Sequence, residues 1–216
     1  GIDWPIRYKD IEKWYGHVEN FIGVSGMKEG LSQLPDGNFL PPLDMNCVER
    51  DFKKNLFDKL GRTYTSGRVT NITKNHNGRG KCQSRNLCIR GCPYGAYFSS
   101  NSSTLPAAEA TGNMTLKANS IVHSIIYDNE KNKATGVRVL DSETLEIKEY
   151  FAKIIFLNAS TINTTLIMLN SKSRRFPNGF GNDSGELGHN IMDHHFKAGA
   201  RAQIDGYEDY YYYGNR

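Results

Sequence analysis

At 216 residues, 38% apolar and 23% charged, the chain is long enough to bury a real core and reads as globular rather than disordered. Its formal charge of +4 comes from Lys and Arg scattered along the sequence, which argues against a nucleic-acid partner. No apolar run approaches the roughly 18 residues that a membrane helix needs.

Opening on GIDWPIRYKD with no initiator Met and ending in YEDYYYYGNR, the sequence reads as an internal piece of a longer polypeptide. After an extended, aromatic lead-in, Asp10 is the expected N-cap of a helix from Ile11 to about Phe21, with Ile11, Trp14, Tyr15 and Val18 as its buried stripe. Gly23 and Gly26 end it. A Gly-, Pro- and Leu-rich loop runs from Gly30 to Asp44, and a second amphipathic helix follows from about Val48 to Leu60, closed by Gly61. Cys47, just before it, is expected to be a lone buried thiol. Arg62–Thr70 can form a short strand, and NITKNHNGRG is polar and turn-like.

That turn delivers the chain to GKCQSRNLCIRGCPYGAY, where Cys82, Cys88 and Cys92 stand five and then three residues apart. With Gly91 and Pro93 around the last thiol, the stretch is a loop whose sulfurs can converge on one point. An odd number of clustered thiols suits a metal centre better than a disulfide, and three thiolates match an iron–sulfur cluster with three protein ligands. The spacing leaves other readings open: a disulfide plus one spare thiol, a zinc site completed by a histidine such as His76, or unlinked cysteines. Lys81 and Arg90 carry charges that could pair with an anionic thiolate site, or simply be solvated. Beyond a polar link, Leu105–Ala110 makes one or two helical turns.

From Met114 to Leu157 the pattern alternates, and MTLKANS, IVHSIIYDN, ATGVRVLD, LEIKEYF and AKIIFLN read as successive strands. A tight turn at Asp128–Lys133 makes the second and third antiparallel neighbours, and a further turn lies at Asp141–Thr144. The continuously apolar Lys153–Leu157 is expected to be buried on both faces. It runs through the small residues Ala159 and Ser160 into a helix from Thr161 to Leu169, a geometry that can present backbone N–H groups to a phosphate or dinucleotide. The glycines of FPNGFGNDSGELGHNIMDHH let the backbone approach a neighbour closely, and Asp193, His194 and His195 end that run as a titratable cluster. N-glycosylation sequons, at Asn71 and Asn158 among others, are read as a product of Asn-rich composition.

Taken together, DWPIRYKDIEKWY, CQSRNLCIRGCPYGA, ATGVRVLD, IIFLNASTINTTLIMLNS and NGFGNDSGELGHNIMDHH resemble the glucose–methanol–choline (GMC) oxidoreductase family. Within it, the likeness is to the bacterial branch of gluconate 2-dehydrogenase and the FAD-dependent glucose, sorbitol and fructose dehydrogenases. The resemblance implies an α/β (α+β) fold: part of an FAD-binding domain with a β-meander, and the start of a substrate domain. On that basis residues 1–113 are a helical and loop segment over the flavin, 114–192 the meander, closing strand and helix, and 193–216 the entry to the substrate domain. Val122 is implied to hold adenine through its backbone. Ala159, Ser160, Asn190, Met192, Asp193 and His194 are implied to run beside the cofactor, and Cys82, Cys88 and Cys92 to ligate a 3Fe–4S cluster. The family's glycine-rich dinucleotide motif would precede Gly1 and its catalytic histidine would follow Arg216, so no catalytic residue is expected here. Ser160, Asn163 and Thr164 stand where the wider family usually carries Gly and Ser-Pro.

The implied function is oxidation of a CH–OH group of a sugar, polyol or sugar acid, with electrons passing from FAD through the cluster to a cytochrome or quinone. Implied partners are the substrate, a small chaperone-like subunit and a multihaem cytochrome c. The implied place is the periplasmic face of the inner membrane, reached only through a partner. The alternatives are a non-catalytic packing or subunit-contact domain with a structural disulfide, or an oxidase or soluble-quinone dehydrogenase of the same family that lacks a cluster.

Overall fold

The computed structural model describes residues 3–193, 199 and 201–208. The chain divides into two units, one of Gly1–Thr115 with Ala202–Arg216 and one of Leu116–Arg201.

The first unit holds two long helices, α1 (Tyr8–Ile22) and α2 (Cys47–Leu60), a short α3 (Thr104–Glu109), and 3-10 turns at Cys88–Arg90 and Ser100–Ser102. Helix α1 starts three residues before the expected Ile11 because Asp10 works from inside the helix: its carboxylate accepts the Arg7 backbone N–H at 2.7 Å. The expected buried stripe is not buried. Trp14, Tyr15 and Val18 are all more than half exposed, and Ile11 is half-buried.

Helix α2 follows its sequence signals closely. Asn46 Oδ1 accepts the Glu49 N–H at 2.8 Å and Glu49 Oε2 accepts the Asn46 N–H at 2.9 Å, a reciprocal cap. Gly61 closes the other end in the left-handed region, its N–H donating to Phe57 O at 2.9 Å. Cys47 lies in the first turn of α2 and is half-buried, not the buried lone thiol expected. The expected strand over Arg62–Thr70 reduces to one isolated bridge, Val69 with Ser25, and the bridge of Asn71 with Tyr97 lies just beyond it. The core of this unit is Leu40, Ile72 and Ala96, with Cys82 and Cys92 packed against it.

The turn at HNGR joins these pieces. His76 and Arg79 exchange backbone hydrogen bonds of 3.0 Å, with Asn77 and Gly78 between them at φ 47° and 76°, the left-handed pair that an Asn-Gly turn supplies. The turn sits against the C-terminus of α1, where a helix has carbonyls without intrahelical donors. Glu19 O accepts the N–H groups of Gly23 and Val24, both at 3.0 Å. Asn20 O is bonded to His76 Nε2 at 2.5 Å, Phe21 O to Asn77 Nδ2 at 2.9 Å, and Ile22 O to Arg79 Nη1. Gly23, at φ 74°, lets the chain turn under this cap, since a Cβ there would lie 2.7 Å from Ile72 Cγ2.

In the second unit β1 (Ser120–Asp128), β2 (Lys133–Asp141) and β3 (Ile147–Phe151) form an antiparallel meander in that order. Both turns are built by an aspartate. Asp128 Oδ1 accepts the Glu130 and Lys131 N–H groups, and Asp141 Oδ1 those of Glu143 and Thr144, at 2.9–3.1 Å. Helix α4 (Ser160–Asn170) packs on β1, and Ile125, Val139 and Ile167 are buried. The expected flanking strands are absent from the sheet among the described residues. Met114–Asn119 forms no strand before Ser120, although Asn119 O accepts the Ser142 N–H at 2.9 Å. Lys153–Leu157 has no partner strand, and Ile154 and Phe156 stand 71% and 81% exposed. An apolar strand meant for a sheet interior cannot form without neighbours to take its N–H and C=O groups. The mixed α/β fold with a β-meander is the one the sequence leads to expect.

Ser171 ties α4 to the sheet. It is 3% exposed, its Oγ accepts the Ile125 N–H at 2.7 Å and donates to Ile167 O at 2.6 Å. Ser171→Ala leaves the buried Ile125 N–H without an acceptor and should cost about 1–3 kcal/mol in urea denaturation of the full chain. A variant as stable as the parent would show that the clamp carries no weight.

Candidate functional site

The residues implied to face a flavin all belong to the second unit, apart from His194, which lies outside the described residues. Val122 is on β1, an edge strand, beside a register shift between Val122 and Ser124 that takes backbone out of the ladder. Ala159 and Ser160 form the turn into α4. Ser160 is left-handed at φ 65°, and no side chain caps the helix, so the first-turn N–H groups point out of the helix end. Asn190 is also left-handed, φ 58°, and its amide donates to Glu186 Oε2 at 2.8 Å; Met192 is 91% exposed. The Phe176–Gly188 run that leads there is fixed on α4 and β1. Phe180 N–H donates to Met168 O at 2.8 Å, and Tyr127, Phe176 and Phe180 make three edge contacts, with ring centroids 5.0–5.9 Å apart. An uncapped helix end, a small-residue turn and a bulged edge strand suit an anionic dinucleotide held by backbone, so these residues fit FAD.

The cysteine loop belongs to the first unit, and there the expectation fails. Among the described residues no group of three or more Cys, His, Asp or Glu is placed to hold a metal ion. The 3Fe–4S cluster expected on Cys82, Cys88 and Cys92 is therefore withdrawn, and the iron–sulfur electron relay with it. Each sulfur is engaged locally instead. Cys82 Sγ accepts the Ser84 N–H at 3.4 Å, and Cys88 Sγ lies 3.7 Å from the donating Asn71 Nδ2. Burial pushes the Cys92 thiol up, but the backbone N–H groups of Tyr97, Tyr94, Ala96 and Gly95 turned onto its sulfur outweigh that, and it titrates below its ordinary value. The cavity that the three cysteines share is about 30 Å³, water-sized. The zinc alternative fails too, since His76 is committed to the α1 cap, and none of the four cysteines forms a disulfide.

Sequence reasoning missed Arg79. It is 5% exposed, and its guanidinium donates to Gly95 O at 2.7 Å and Ala96 O at 3.2 Å as well as to Ile22 O. Burial lowers its pKa and the neighbouring Cys92 opposes that shift. The Asn-Gly pair in HNGR is the signal that could have placed it, because such a turn fixes the residue after it.

A family model described as GMC oxidoreductase matches residues 6–196. The chain belongs to the GMC oxidoreductase family. It is 31% identical over 196 residues to 2-methyl-1,2-propanediol dehydrogenase of Mycolicibacterium austroafricanum, covering 89% of this chain and 35% of that protein. To the fructose dehydrogenase large subunit of Gluconobacter japonicus it is 27% identical, covering 90% and 36%. To the gluconate 2-dehydrogenase flavoprotein of Pantoea cypripedii it is 24% identical, covering 77% and 30%. This GMC chain thus spans about a third of the length of the curated relatives it matches.

A thiol whose native pKa is depressed binds fewer protons than in the unfolded chain, so its stabilisation is present above the unfolded value, near 9.0, and is lost as pH falls through the native one. Resistance of the GMC chain to urea should therefore rise with pH through that window, and Cys92→Ala should flatten the rise. Parallel curves for parent and variant would show that the amides do not hold a thiolate.

Proposed function

We propose that the whole protein is an FAD-dependent oxidoreductase acting on a CH–OH group of a polyol, sugar or sugar acid, without an iron–sulfur relay. Family membership supports the lineage, and the observation that carries the cofactor reading is the uncapped N-terminus of α4 behind the left-handed Ser160. Bound flavin would supply the hydride acceptor. The chain's own part is to hold it. Val122 offers backbone to the adenine, Ala159 and Ser160 let the cofactor approach the first-turn amides of α4, and Asn190, Met192, Asp193 and His194 line its flank. Residues 114–192 act as the FAD-side domain, 1–113 as a cover over the flavin, and 193–216 as the way into a substrate domain.

Without a cluster, the electron acceptor would be one that can reach bound flavin directly. The names of the relatives, a diol dehydrogenase, a sugar dehydrogenase subunit and a sugar-acid flavoprotein, support a polyhydroxylated substrate and assembly with further subunits. A small chaperone-like subunit and a cytochrome c belong to that assembly, and the periplasm to its setting. No helix among the described residues is long and apolar enough to cross a membrane.

Two measurements on the full-length protein test this. Denaturation should release FAD, and anaerobic addition of a polyol or sugar substrate should bleach the flavin absorbance; protein that retains no flavin contradicts the proposal. A β-branched residue tolerates the left-handed region poorly, at a cost of roughly 1–2 kcal/mol. Ser160→Val should accordingly weaken FAD retention about tenfold while Ser160→Gly keeps it. Equal retention by both would remove Ser160 from the cofactor's surroundings.

A further inference from the structure

Four basic residues on α2 and just beyond it line one groove. Helix α2 from Arg50 to Asp58 and the following Arg62–Tyr64 border about 360 Å³, and Arg50, Lys53, Lys54 and Arg62 line it with one carboxylate, Asp58. On the helix Arg50, Lys53, Lys54 and Asp58 recur at three- and four-residue spacing, so they share a face, and Arg62 follows the helix end. Lys53 is paired at 3.6 Å with Glu29, whose side chain is only 10% exposed. The Lys54–Asp58 contact of 3.5 Å joins side chains 80% and 55% exposed, a pair that water and salt readily open. Phe57, 63% exposed, gives the groove an apolar surface, and Tyr64 borders it, braced edge-on by Phe52 at 5.3 Å.

We propose that this groove docks an acidic segment of a partner protein, with its carboxylates on Arg50, Lys54 and Arg62 and an apolar side chain over Phe57. Charge complementarity selects the occupant. A small anion such as phosphate can reach only one or two of these cations at a time. Several carboxylates on one strand can instead reach cations spread over two helical turns. A nucleic acid would call for a longer cationic track and a series of aromatic faces, and a bilayer for a flat amphipathic face; the groove is short and concave, with a single well-exposed ring.

The test uses the full-length protein and a fluorescein-labelled glutamate-rich peptide with a central leucine, followed by anisotropy at rising KCl. Saturable binding that weakens with salt is expected. Arg50→Glu with Arg62→Glu should weaken it about tenfold, and Phe57→Ala about threefold. Lys54→Glu, at a largely exposed position, should weaken it in the same direction without disturbing the fold, as circular dichroism would check. The proposal is overturned if the peptide does not bind or if the charge-reversed proteins bind it like the parent. Tighter binding of inorganic phosphate, polyuridine or phosphatidylglycerol vesicles would overturn it as well.

Discussion

A buried guanidinium bonded to backbone carbonyls holds the segments of the first unit together. Arg79 reaches a helix end on one side and the backbone after the cysteine loop on the other, and its donors meet carbonyls at Ile22, Gly95 and Ala96. Hydrogen bonds to a charged group are worth about 1.5–3 kcal/mol each, so a shared set of this kind fixes the relative position of segments more than fifty residues apart in sequence. His76 and Asn77 from the same turn complete the cap, so that each of the last four carbonyls of α1 has a donor.

The chemistry of the cysteine loop follows from that lock. Arg79 holds the carbonyls of Gly95 and Ala96, backbone amides of Tyr94 to Tyr97 lower the Cys92 pKa, and Cys92 in turn acts on the guanidinium. Backbone donors around the Cys92 sulfur favour its thiolate form relative to an ordinary thiol. That sulfur is not aimed, together with Cys82 and Cys88, at a common metal. The second unit shows the same economy on a smaller scale, where the hydroxyl of Ser171 both receives from the sheet and donates to the helix.

Much of this was legible in the sequence wherever local chemistry decides the outcome. Helix α2 carries its Asn46 cap, its Glu49 partner and its closing Gly61, and each does what its residue type dictates. The two aspartate turns set the hairpins of the meander, and the run from Ala159 through the glycine-rich tail marked the family. What misled was long-range. The apolar face of α1 and the Ile154–Leu157 run have the patterns of buried elements, but burial needs a partner, and no pattern names one. Cysteine spacing is a similar case: it fixes how far apart the thiols are along the chain, while their direction is set by Arg79 and Asn71 from elsewhere.

The central claim is that the three thiols are engaged by the protein's own hydrogen-bond donors. It is tested most directly by iron and acid-labile sulfide analysis of the full-length protein, purified without oxygen, against its flavin content. Flavin with neither iron nor sulfide in stoichiometric amount is expected. Iron and sulfide in fixed ratio to flavin, lost together in Cys88→Ser, would contradict it.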